Sequence, residues 1–140
     1  LMPLATLVTP NLPEAAELLA KGEMTSRDEM SAAAREIRTH LHPEWVLVKG
    51  GHLSGNDSAD CLCGPEGFTE WFSAARTHTK NTHGTGFVRF AALLPQTESV
   101  PLAVKKAKEY LSGAIQHADE LSVGSGHGPT HHFWQLWQQM

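Results

Sequence analysis

Basic charge is what this sequence most conspicuously lacks. Eleven lysines and arginines stand against 15 acidic residues, a formal net charge of -4. That balance argues against a surface for nucleic acid or an anionic membrane, because both need a basic face. A small anionic ligand needs only a local cluster of donors and stays open. Long hydrophobic runs are missing too: none approaches the roughly 18 residues of a membrane span, and no charged-then-apolar leader is visible, so a cytoplasmic location is expected. Cysteine is scarce. Cys61 and Cys63 lie one residue apart on a candidate strand, where side chains share a face but rarely close a disulfide, so reduced thiols are expected and no zinc spacing is present. The first residue is not an initiator methionine. Leu1 leads directly into L-A-T-L-V-T at residues 4–9, which reads as a buried strand, and the expectation is a fragment or processed product.

What is present is an alternation of strand and helix signals, in a chain of 140 residues, long enough for a real core. Asn11 and Glu14 have the spacing of a capping box opening a helix over residues 14–20. The same pair follows a strand, at the edge where α/β sheets bind ligands, and the alternative to a plain cap is that it helps hold a hydrated Mg²⁺. Ser26 and Glu29 form a second box, with Met30, Ala33, Ala34, Ile37 and Leu41 at helical spacing behind it. That helix, residues 27–41, reads as scaffold with Arg35, Glu36 and Arg38 on its solvated side. The run E-W-V-L-V-K at residues 44–49 reads as a strand buried on both faces and ends in Lys49, Gly50, Gly51 and His52. A lysine there is either a point charge for a phosphate or the polar stop of a core strand. Strands over residues 59–63 and 68–72 flank the turn G-P-E-G and predict a hairpin. The class is α/β, a mostly parallel sheet with this hairpin as an antiparallel addition.

Residues 80–87 read K-N-T-H-G-T-G-F, a tight turn opening an apolar run. Free N–H groups at such a turn, with the helix dipole behind them, suit a phosphate; a plain strand-to-helix turn has the same look. The helix after it is short, closed by Pro95. Thr97 or Ser99 caps the next, which has Pro101 in its first turn and Ala103, Ala107, Tyr110, Leu111, Ala114 and Ala118 on one face. Lys105, Lys106, Lys108 and Glu109 lie away from that stripe and read as its solvated side. In the tail, His127 and His131 have a metal-ligand spacing only if helical, and Gly128 and Pro129 oppose a helix. Packing of Phe133, Trp134 and Trp137 is expected instead.

Four segments in order, T-P-N-L-P-E-A, V-L-V-K-G-G-H, K-N-T-H-G-T-G and V-G-x-G-x-G-P-x-H-H-F, carry a resemblance over nearly the whole chain. The chain resembles the carboxyl-terminal half of the bacterial hydroxymethylpyrimidine kinase / phosphomethylpyrimidine kinase family. The resemblance implies a ribokinase-like three-layer α/β sandwich, and ATP- and Mg²⁺-dependent phosphorylation of hydroxymethylpyrimidine and of its monophosphate in thiamine biosynthesis. It implies that Gly84, Thr85 and Gly86 form an anion hole for the transferring phosphoryl group. Asn11 and Glu14 match the element near Mg²⁺, and Lys49, Gly50 and Gly51 match the nucleotide side. The expected partners are ATP and a small pyrimidine, with neither nucleic acid nor membrane.

Two departures qualify that expectation. The family's turn continues into a cysteine at the base position, where this chain has Phe87, whose phenyl ring neither takes nor donates a proton. The helix behind it is about three residues short of the family's and is interrupted by Arg89. Residues 1–140 are moreover expected to be a partial kinase domain, the nucleotide-side half without the amino-terminal substrate-binding half. Its open sheet edge would then need cover from another copy or from a separate amino-terminal half. The chain alone is expected to be inactive or impaired, and a non-catalytic nucleotide-binding remnant is the alternative.

Overall fold

A computed structural model describes residues 1–51, 57–75, 99–118, 131 and 134. They fall in two compact units, Leu1–Ala74 and Ala75–Met140.

The first unit carries strand β1 (Leu7–Val8), helices α1 (Leu12–Leu18) and α2 (Arg27–Leu41), and strands β2 (Trp45–Lys49), β3 (Asp57–Cys63) and β4 (Thr69–Ala75). The sheet order is β1-β2-β3-β4. β1 runs parallel to β2, and β2 runs antiparallel to β3 with Val46 opposite Cys63 and Lys49 opposite Asp60. The sheet is therefore mixed, and the mostly parallel sheet expected from the sequence does not describe these strands. Only the β1–α1–α2–β2 crossover makes a parallel pair among them. The predicted strand at residues 4–9 is also corrected. Met2–Leu4 form a 3-10 turn with Leu4 87% exposed, and only Leu7 and Val8, both half-buried, are strand. Pro10 has no N–H to extend a ladder, which helps keep β1 short.

Each helix begins where its polar residues stop it from starting earlier. Ser26 Oγ accepts from the Glu29 N–H at 3.2 Å, and the Glu29 carboxylate accepts from the Ser26 N–H at 3.0 Å. The predicted span of α2 is the observed one. It ends at His42, in the left-handed region at φ 57°, just before Pro43, which cannot continue a helix. Met30, Ala33, Ala34 and Ile37 pack on Val46, Val48, Cys61 and Cys63, together with Leu12, Ala15 and Ala16 of α1. Burying a Met or Ile side chain contributes roughly 1.5–3 kcal/mol, against about 1 kcal/mol for an N-cap. The sheet face thus holds α2 in place, and the cap sets its start. Leu47 and Leu62 point to the opposite face and are also 0% exposed, as expected for a strand buried on both sides.

The hairpin is observed: the Gly64 N–H donates to Phe68 O at 3.0 Å, with Glu66 and Gly67 at positive φ in the turn. Gly64 is required by a close approach, because a Cβ there would lie 2.2 Å from Cζ3 of Trp45. The Trp45 ring in turn meets Phe68 edge-on, at 5.4 Å and 73°.

In the second unit, α3 (Val100–Gln116) is capped by Ser99, whose hydroxyl accepts the Leu102 N–H at 3.4 Å. Ala103, Ala107, Ala114 and Ala118 are buried as the stripe predicts, joined by Val104, while Lys105, Lys106 and Glu109 are exposed. The tail returns to this helix. The His131 N–H donates to Ala114 O at 3.1 Å, and Trp134 stacks on His117 at 4.8 Å with the rings 10° apart. The packing expected of Trp134 is therefore seen; Phe133, Trp137 and His127 lie outside the described residues.

Candidate active site

Parallel neighbours end at the same edge of a sheet, so the residues that follow β1 and end β2 are brought together by topology alone. The Lys49 N–H donates to Pro10 O at 2.9 Å, and Asn11 makes an isolated parallel bridge with Lys49. Asn11 and Lys49, thirty-eight positions apart in the sequence, are thus backbone neighbours. Gly50 and Gly51 continue from the same edge, and Glu14 stands one helical turn beyond Asn11.

The Asn11–Glu14 capping box is formed. Asn11 Oδ1 accepts the Glu14 N–H and Glu14 Oε2 accepts the Asn11 N–H, both at 2.8 Å. Those two oxygens are therefore committed to the helix start, and a direct metal bond from either would compete with the cap. Glu14 is exposed and its Oε1 takes no part in the box, so the donor set fits a cation held through water and not a closed protein cage. Lys49 is half-buried, and among the described residues its ammonium has no ion-pair partner. A compact ammonium two residues from the exposed Gly51 fits a polyphosphate.

Sequence reasoning missed Asp60. Its carboxylate is 8% exposed and Oδ1 accepts the Gly50 N–H at 3.0 Å. The signal was present in A-D-C-L-C, an aspartate inside an otherwise apolar strand. Gly50 itself is fixed by packing, since a Cβ would lie 2.0 Å from Ala59 O and 2.9 Å from Met30 Cε, whereas at Gly51 the nearest atom is Ser58 Oγ at 3.9 Å. The two glycines therefore differ: Gly50 is a point of close approach and Gly51 is open.

The two cysteines are free thiols, as expected, and are buried facing α2 and not the strand ends. The neighbouring Cys61 thiol and the Thr69 hydroxyl, 3.4 Å from Cys63 Sγ, hold Cys63 below the usual thiol range, while the Cys63 thiol and burial push Cys61 up. Gly84, Thr85, Gly86 and Phe87 lie outside the described residues. Among the described residues no group of three or more His, Cys, Asp or Glu is placed to hold a metal ion, and no helix is long and apolar enough to cross a membrane.

The profile of the family described as phosphomethylpyrimidine kinase matches residues 1–131. Hydroxymethylpyrimidine/phosphomethylpyrimidine kinase of Salmonella typhimurium is 46% identical over 140 residues, covering 98% of this chain and 52% of that enzyme. Its Escherichia coli counterpart is 44% identical with the same coverage. Among solved structures, an ADP complex of Bacillus subtilis pyridoxal kinase matches with a TM-score of 0.85 and 32% identity, over 94% of this chain and 49% of that one. Staphylococcus aureus pyridoxal kinase in complex with AMP-PCP matches with a TM-score of 0.85 and 29% identity, over 94% and 48%. The fold is thus ribokinase-like α/β, and the chain spans about half the length of the curated relatives it matches. On the matched profile and these identities, the chain belongs to the phosphomethylpyrimidine kinase family.

Proposed function

We propose that this chain supplies the nucleotide side of an ATP- and Mg²⁺-dependent kinase that phosphorylates hydroxymethylpyrimidine and its monophosphate in thiamine biosynthesis. The observation that carries the reading is the meeting of Asn11 and Lys49 at one sheet edge, through a backbone bond of 2.9 Å from Lys49 to Pro10, in a member of this family. In this reading Lys49 and the open Gly51 lie along the polyphosphate. Asn11 and Glu14 orient the water shell of Mg²⁺, which when bound shields phosphate charge. By resemblance to the family, Gly84, Thr85 and Gly86 are assigned as the anion hole for the transferring phosphoryl group, a role suited to backbone N–H donors. Two free thiols and a dependence on ATP fit a cytoplasmic location.

Thermal unfolding with and without Mg-ATP tests it, because a ligand that binds the native state raises its stability by mass action. A dose-dependent upward shift is expected, and an unshifted melt at millimolar nucleotide would remove the reading.

A second reading is favoured by Phe87 at the family's base position: a nucleotide-binding remnant that transfers no phosphoryl group by itself. Turnover then requires the rest of the fold, from the same or a separate polypeptide. Phosphorylation of the pyrimidine monophosphate by the pure chain would exclude this reading. A stable complex on co-expression with the amino-terminal half of a relative would support it.

A further inference from the structure

We infer that Asp60 is a positioning residue for nucleotide binding, holding the Lys49–Gly50–Gly51 segment in the one course that presents it to a polyphosphate. This rests on the reading of that segment as the nucleotide side. The ladder between β2 and β3 stops at the pair Lys49–Asp60, although β3 itself begins at Asp57. Beyond that pair a side chain replaces the main chain: Asp60 Oδ1, and not a strand carbonyl, takes the Gly50 N–H at 3.0 Å. With Lys49 N–H on Pro10 O at 2.9 Å, successive amides are tied in two directions, one to the β1 end and one to β3. Gly51 is the first residue past both ties.

An ordinary sheet end does not need a carboxylate for this. Asp60 is 8% exposed, and burying a carboxyl group costs free energy unless its bonds offset it. Directly opposed residues of an antiparallel pair turn their side chains to the same face, so the Asp60 carboxylate and the Lys49 ammonium share one side of the sheet. Asp60 therefore acts through its bond to Gly50, which fixes the backbone course after Lys49. A residue that merely closed the sheet would affect stability and leave ligand affinity alone.

The test is Mg-ADP affinity by calorimetry for the chain and for Asp60→Asn, Asp60→Ser and Asp60→Leu, with Gly50 amide exchange followed by ¹⁵N NMR. Asn keeps an acceptor of the same reach, so its Kd should stay within about threefold and its Gly50 amide protected. Ser is too short and Leu has no acceptor, and both should weaken binding about tenfold or more with faster Gly50 exchange. Should Leu fail to fold, Ser decides. Equal affinity in Ser and wild type despite fast Gly50 exchange would overturn the inference alone, as would an Asn variant as weak as Ser. Failure of the unaltered chain to bind Mg-ADP would instead overturn the nucleotide reading, and the inference with it.

Discussion

Among the described residues the same local motif occurs twice, in settings that differ. The box at Ser26 and Glu29 starts a helix of 15 residues whose buried stripe lies on the sheet. The box at Asn11 and Glu14 starts one of 7 residues, directly after the bridge to Lys49. Both satisfy the same orphan amides by the same bonds. What separates them is the neighbour: the first-strand box borders a lysine and two glycines, whereas the α2 box borders Thr25, whose N–H and hydroxyl also bond Glu29. A capping box is thus neutral between scaffold and site, and topology decides which role it has.

The largest effect that would sharpen this contrast is at Gly50. A methyl group there meets Ala59 O at 2.0 Å, main chain that cannot turn aside. Gly50→Ala should cost about 3 kcal/mol or more, seen as a lower urea midpoint. A near-neutral result would mean that the strand end carries slack. Next come the caps themselves. Asn11→Ala and Ser26→Ala should each cost about 1 kcal/mol by chemical denaturation. Only Asn11→Ala should also shrink the thermal shift produced by Mg-ATP. Equal shifts in the two variants would erase the distinction between the boxes. Gly51→Ala has space, with Ser58 Oγ at 3.9 Å, and stability should move by less than about 0.5 kcal/mol.

The smallest expected effect is acid sensitivity at the start of α2. Bonds from the Thr25 N–H, the Ser26 hydroxyl and the Ser26 N–H hold the Glu29 carboxyl below its usual 4.5. A folded value below the unfolded one means that the contribution is complete above the ordinary carboxylate range and is lost as pH falls through the folded value. Amide exchange in the first turn of α2 should therefore rise at acid pH. In Glu29→Gln that pH dependence should be absent.

Much of this was legible in the sequence where a local rule governs. Ser26 and Glu29 with a helical stripe behind them gave α2 its span, Gly64 to Gly67 gave the hairpin, and the valines of β2 gave a strand buried on both faces. Residues 4–9 misled in part because apolar content alone says nothing about pairing; Leu7 and Val8 are strand, whereas Leu4 lies in a 3-10 turn and is 87% exposed. The parallel β1–β2 pair and the antiparallel hairpin were expected, but the described sheet is mixed and not mostly parallel, because its balance depends on which strand β3 meets, which no spacing records. At the site, Asn11, Lys49 and Gly50 were named correctly as strand-end residues, but their adjacency needed the parallel pairing. Asp60 was missed because its role is a bond ten positions away in sequence, to a glycine amide.

Trp45 lies against Gly64 with Phe68 at its edge, on the same five-residue strand that ends in Lys49. An indole seated asymmetrically on a backbone gives a near-ultraviolet dichroism band, and this one senses both the hairpin and the strand that delivers the lysine. Trp45 is one of four tryptophans, so with the other three replaced by phenylalanine its band would report the seating of β2, one strand-length from the candidate site, without a label.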